Sequence, residues 1–113
     1  AKNKKNKKIL MIGLSYKKNI DDKRESASIK ILNILERKGF EVYFLDKLVK
    51  DVEINNKARV TIKNDYKLLK KFSITIIGTD HDYFNYKKIF KNSNLIIDLR
   101  NRYKFKHKKI LKF

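Results

Sequence analysis

The chain has 113 residues, 30 Lys or Arg against 12 Asp or Glu, a net charge of +18, and neither Cys nor Pro. That length suits one compact domain and is too short for two, while the lack of Cys excludes disulfides, zinc ribbons and a thiol nucleophile within these residues. The charge would ordinarily point to nucleic acid, yet the cations are mostly Lys, Ile and Asn are equally inflated, and Gly and Ala are scarce, a profile of A/T-rich coding rather than of an Arg-studded face that reads bases.

Residues 1–7 are rich in Lys and Asn with no apolar signal core behind them, and read as a linker remnant. Ile9-Leu10-Met11-Ile12 is a continuous apolar run, as in a strand covered on both faces. Ser26 or a neighbour caps a helix whose apolar positions Ala27, Ile31, Ile34 and Leu35 recur at helical spacing, and Gly39 ends it. Val42 to Leu45 is a second strand closing at Asp46. Leu48 to Lys57 reads as a loop with weak helical content, Arg59 to Ile62 as a short edge strand and Asp65 to Phe72 as a short helix. Ile74 to Ile77 is a further strand, Tyr83 to Phe90 a helix and Leu95 to Ile97 a strand. Residues 102–113 read as a basic, frayed tail. No apolar run approaches the roughly 20 residues of a membrane helix, so a cytoplasmic domain without membrane contact is the expectation.

Strand alternating with helix predicts an α/β, Rossmann-like open parallel sheet with helices on both faces, a single three-layer domain. Three polar clusters then fall at the carboxyl ends of strands: Tyr16 to Ser26, Gly78 to Asp82, and Asp98 to Asn101. In an open α/β sheet that is the edge where ligands bind. The first cluster joins a strand to a helix, where free N–H groups and a positive dipole end hold phosphate. It lacks the later glycines of a dinucleotide fingerprint, and no GK[ST] loop exists, so side chains must carry the phosphate chemistry.

The strings GLSYKKNIDDKRES, GTDHDYF and IDLRN, in this order from about Lys7 to Arg102, resemble the C-terminal, nucleotide-sugar-binding domain of the UDP-glucose/GDP-mannose dehydrogenase family. The wording YKKNIDD and TDHDYF is most similar to the bacterial branch acting on UDP-N-acetylhexosamines, chiefly UDP-N-acetylglucosamine 6-dehydrogenases. The resemblance implies a UDP-binding domain over residues 8–103 with a basic tail at 104–113. Its parent enzyme would oxidise the sugar C6 alcohol to a carboxylate with NAD, for surface polysaccharide synthesis. NAD would be held mainly by an N-terminal NAD-binding domain, and a central helical domain would pair subunits into a homo-oligomer. The catalytic Cys belongs before this domain in the family, so no catalytic residue is assigned here and the domain alone should be inactive.

The resemblance also assigns roles. Tyr16 and Lys17 match the aromatic-Lys pair that contacts the UDP-sugar; an ammonium suits a diphosphate and a ring offers an apolar wall. On the residues alone, Lys17 is equally a solvated cation and Tyr16 a ring packed at a strand end. Arg24 matches the Arg reaching toward NAD, or else pairs with Glu25 or Asp22. Arg100 matches the Arg that holds the substrate nucleotide, or else sits on the rim paired with Asp98. Asp21 and Asp22 read as loop and helix-start residues that fix Lys17 and Arg24 rather than as an acid/base pair. Asp80-His81-Asp82 is no metal set, since neighbours in one turn rarely converge on an ion, and His81 reads as structural. Tyr43, Phe44, Phe84 and Phe90 read as core and His107 as solvated. The chain departs from the family at Ala27, where Pro is usual, and at Asp46-Lys47, where an acidic-Pro element is usual. Each change loosens the backbone by under about 1 kcal/mol.

Overall fold

The computed structural model describes residues 6–14 and 27–112. β1 (Lys8–Ile12) lies between β2 (Glu41–Leu45) and β5 (Ile74–Ile77), parallel to both, with Met11 opposite Phe44 and Ile76. β6 (Ile96–Asp98) pairs with β5 and β7 (Ile110–Lys112) with β6, again parallel, giving one sheet in the order β2-β1-β5-β6-β7. The apolar run of β1 follows from this place: a strand with parallel neighbours and cover on both faces has no polar side.

Alternate β1 side chains feed two cores. Ile9 and Met11 join Leu32 of α1 (Ala27–Arg37) with Val42, Phe44 and Ile76. Leu10 and Ile12 join Leu69, Phe84, Ile89 and Ile96 on the opposite face, beneath a 3-10 turn at Tyr66–Lys71 and α2 (Tyr86–Asn92). The fold is therefore the expected Rossmann-like sheet between helical layers. Gly39 ends α1 at φ 103°, with Phe40 N–H donating to Leu35 O and Gly39 N–H to Glu36 O, the paired bonds of a Schellman cap.

Four expectations need correction. Residues 48–57 are not a loop with helical content: β3 (Asp51–Ile54) and β4 (Lys57–Val60) form an antiparallel hairpin separate from the main sheet. Its two-residue turn is Asn55-Asn56, at φ 50° and 68°, where Asn tolerates positive φ. Buried Val52 and Ile54 pack with the α1 face while Asp51 and Glu53 are exposed. Of the edge strand expected at Arg59 to Ile62, only Arg59 and Val60 lie in a strand, as the end of the hairpin's second arm. The second helix starts later than expected, at Tyr86, because Asn85 caps it through Lys88 N–H. Nor do residues 102–113 fray: Tyr103 is buried and Ile110 to Lys112 form the fifth strand.

β1 connects onward to β2 on one side, and β5 flanks it on the other, so the chain reverses its direction of winding between β1 and β5. The carboxyl ends of these two strands meet at paired glycines. Gly13 has φ 86°, and a Cβ there would lie 2.7–2.9 Å from Thr79 atoms. A Cβ on Gly78 would meet Ser28 Oγ at 2.5 Å and Gly13 O at 2.8 Å.

Candidate functional site

The carboxyl edge of the sheet is organised by buried carboxylates. Asp46, just past β2, is 1% exposed. Its Oδ2 accepts from Leu14 N–H at 2.8 Å, at the end of β1, and its Oδ1 accepts from Leu48 and Val49 N–H at 2.8 and 2.9 Å. From the end of β5 come two more groups: the Tyr83 hydroxyl donates to Oδ1 at 3.3 Å, and His81 Nε2 lies 3.7 Å from Oδ2 with both side chains fully buried. One carboxylate therefore ties three strand ends. Burial disfavours its charge, but the contact with His81 and the N–H groups of Leu14, Val49 and Leu48 outweigh that and hold its pKa at about 2. The Tyr83 hydroxyl is pushed up by burial and by the Asp46 charge. His81 stacks on the Tyr83 ring at 4.8 Å, with Lys47 Nζ 5.2 Å from the same ring.

Asp98 closes β6 in the same manner. Its Oδ1 accepts from the N–H groups of Arg100 (3.2 Å) and Arg102 (3.0 Å), and its Oδ2 from Tyr103 N–H at 2.8 Å. The chain turns here through Asn101 at φ 55°. Arg100 is exposed, and the bond Asp98 makes to it goes to the backbone rather than the guanidinium. Arg102 lies over the Tyr86 ring at 4.1 Å and reaches Asp80 Oδ2 at 4.0 Å.

Of the residues expected to bind ligand, Arg100 stands on this edge. Tyr16, Lys17 and Arg24 lie outside the described residues, as do Asp21 and Asp22; the described chain stops on the edge at Leu14 and resumes in α1. His81 is fully buried. Asp46 was not among the expected functional residues, although its position after an apolar run at a strand's carboxyl end is the same signal that marked the other clusters. Among the described residues no group of three His, Cys, Asp or Glu could hold a metal ion, and no helix is long and apolar enough to cross a membrane.

Residues 10–105 match the UDP-glucose/GDP-mannose dehydrogenase family, UDP binding domain. The chain belongs to that family. A curated relative, the UDP-glucose 6-dehydrogenase of Rickettsia prowazekii (strain Madrid E), is 32% identical over 107 residues, covering 86% of this chain and 24% of the relative. Among solved structures, the UDP-D-ManNAc dehydrogenase of Pyrococcus horikoshii superposes with a TM-score of 0.72 at 26% identity, over 98% of this chain and 27% of that one. The GDP-mannose dehydrogenase of Pseudomonas aeruginosa shares the fold at a TM-score of 0.74 and 16% identity, over 95% and 28%. This UDP-binding domain thus spans about a quarter of the length of the proteins it matches.

Proposed function

We propose that the chain is the UDP-sugar-binding part of an NAD-dependent nucleotide-sugar 6-dehydrogenase acting in the cytoplasm for surface polysaccharide synthesis. Its substrate is UDP-N-acetyl-D-glucosamine or a related UDP-N-acetylhexosamine, oxidised at C6 to the uronate. The observation that carries the reading is the family match laid over the carboxyl edge at the β1/β5 reversal, where Leu14, Thr79 and Asp98 bring three polar loops together. Lys17 then neutralises diphosphate charge, Tyr16 walls the uridine or sugar, and the Arg100 fork, set on a turn pinned by Asp98, engages a phosphate or the nucleotide.

NAD fits this chain poorly. Gly13 sits where a dinucleotide cradle would begin, but the space its missing Cβ leaves is filled by Thr79, not cleared for a pyrophosphate. That supports assigning NAD mainly to an N-terminal domain of the parent enzyme, with Arg24 as this chain's one contribution and a central helical domain joining subunits into a homo-oligomer. The domain alone should then turn over no substrate.

Titration with UDP, followed by backbone amide resonances, tests the reading. Shifts confined to Leu14, the loop after it and residues 98–102 are expected, with affinity at least tenfold weaker in Lys17→Ala and in Arg100→Ala. UDP indifference in the folded chain, or wild-type affinity in both variants, would overturn it.

A further inference from the structure

The segment after β6 is strongly basic. From Leu99 to Phe113, seven of fifteen residues are Lys or Arg and none is acidic, against 30 and 12 in all 113. The stretch also alternates rings with cations: Tyr103, Phe105 and His107 with Lys104, Lys106 and Lys108. Tyr103 is buried, while Lys104, Phe105, Lys106 and His107 are exposed.

The rings are fixed. Phe90 of α2 meets Tyr103 at 6.0 Å, Phe105 at 5.5 Å and His107 at 5.0 Å, and Tyr103 meets Phe105 at 5.9 Å. Tyr103 is anchored further by its hydroxyl, which donates to Tyr86 O at 2.6 Å. Phe105 is therefore clamped by two rings yet 49% exposed. It borders a cavity of about 450 Å³ shared with Lys106, His107, Lys108, Ile110 and Lys112. Lys112 also donates to Tyr103 O, tying the outer strand to this shelf. The cavity is large enough for one nucleotide unit, within the usual range of about 300–1,000 Å³ for ligand sites.

We propose that this shelf is a binding site for single-stranded nucleic acid, separate from the UDP site on the carboxyl edge. A rigid exposed ring gives a base a stacking platform, while a rail of ammonium groups follows the phosphates; that combination binds single strands with little regard to sequence. A strand, rather than a free nucleotide, is favoured because the row of exposed cations runs past the cavity-lining Lys106 and Lys108 to Lys104. The proposal does not rest on the UDP reading.

Fluorescence anisotropy with labelled oligo(dT) of about eight nucleotides, on the whole chain over a salt series, is the test. Phe105→Leu, which keeps apolar packing on Phe90, should weaken binding at least tenfold, and Phe105→Tyr should restore it. The double variant Lys106→Glu, Lys108→Glu should weaken binding and flatten the logarithmic salt slope by about 1.4, at roughly 0.7 for each phosphate that is no longer neutralised. The same charge reversal at exposed Lys30 and Lys38 should leave affinity within threefold. Equal losses in the two double variants would mean diffuse charge and overturn the site. So would an unchanged Phe105→Leu, an absence of binding by the wild-type chain, or thymidine monophosphate binding as tightly as the oligonucleotide. A loss in Arg100→Ala matching that in Phe105→Leu would place the strand on the UDP edge and equally overturn it, whereas UDP titration of Phe105→Leu reads the other site independently.

Discussion

Asp46 carries more of the edge than any other described side chain, because its partners come from three strand ends. In the unfolded chain its carboxyl ionises near 3.8, and in the folded protein near 2. A depressed folded value means the stabilisation is fully present above about pH 4 and drains away as pH falls through 2. The difference corresponds to roughly 2 kcal/mol. Asp46→Asn should therefore unfold in less urea than wild type at pH 6, with a gap of about that size that narrows steadily between pH 4 and 2.5. A gap of constant size would show that shape, not charge, holds the loops. The sequence places Asp46 after a strand and no more, since Leu14 and Tyr83 lie 32 and 37 residues away, and only folding brings their N–H and hydroxyl groups to it. Arg100 was legible because strand-end polarity and the IDLRN string coincide; that its turn is pinned by backbone bonds to Asp98, and not by an ion pair, depends on the left-handed Asn101, which no periodicity reveals.

Strands whose pattern answers to local rules alone were readable, and those that depend on turn chemistry were less so. β1 and β5 show as apolar runs because parallel central strands are covered twice, and the edge strand β2 has a run of its own from Val42 to Leu45. The hairpin did show a signal, the alternation Asp51-Val52-Glu53-Ile54, but its turn is Asn-Asn rather than the stronger Asn-Gly. Its place on the α1 face is secured by contacts distant in sequence. Glu36 takes both Nη atoms of Arg59 at 2.8 Å and Asn55 Nδ2 at 3.0 Å, and the Arg59 and Asn55 bonds hold the Glu36 pKa below its ordinary value. The glycines at element ends separate two kinds of constraint. Gly39→Ala meets no atom within 4 Å, so only the positive φ of its cap is strained and about 1 kcal/mol should be lost. Gly78→Ala must displace side-chain ends of Ser28 and Met11 and, 2.8 Å away, the backbone carbonyl of Gly13. Because a carbonyl between two strands cannot retreat, the loss should be at least about 2 kcal/mol, in the range of overpacked cores. Urea midpoints rank the two; a smaller loss at Gly78 than at Gly39 would show that β1 and β5 part easily at the reversal.

Over the whole molecule the surplus of cations works against the compact state. Thirty Lys or Arg and 12 acidic residues share a body whose Cα radius of gyration is 13.3 Å. The fifth strand adds to that load: Ile110 is buried, yet the strand sets Lys112 opposite Asp98. A basic tail looked unable to fold because its charge hides two anchors, Tyr103 and Ile110, spaced too widely to form an apolar run. Burial of those anchors outweighs the repulsion locally, and the remaining repulsion is spread over the surface. At 10 mM salt the screening length is about 30 Å, comparable with the molecule, and at 0.1 M it is about 10 Å. Charges of one sign held together in the folded state gain most from screening, since unfolding separates them. Raising sodium chloride from 10 to 300 mM should therefore stabilise the chain by on the order of 1 kcal/mol, or about 4–8 °C in Tm for a domain of this size. Scanning calorimetry at several salt concentrations measures it. A fall in Tm would mean that screened pairs such as Glu36–Arg59 and Asp80–Arg102 contribute more than the net repulsion costs, and that the +18 charge is arranged in favour of the fold.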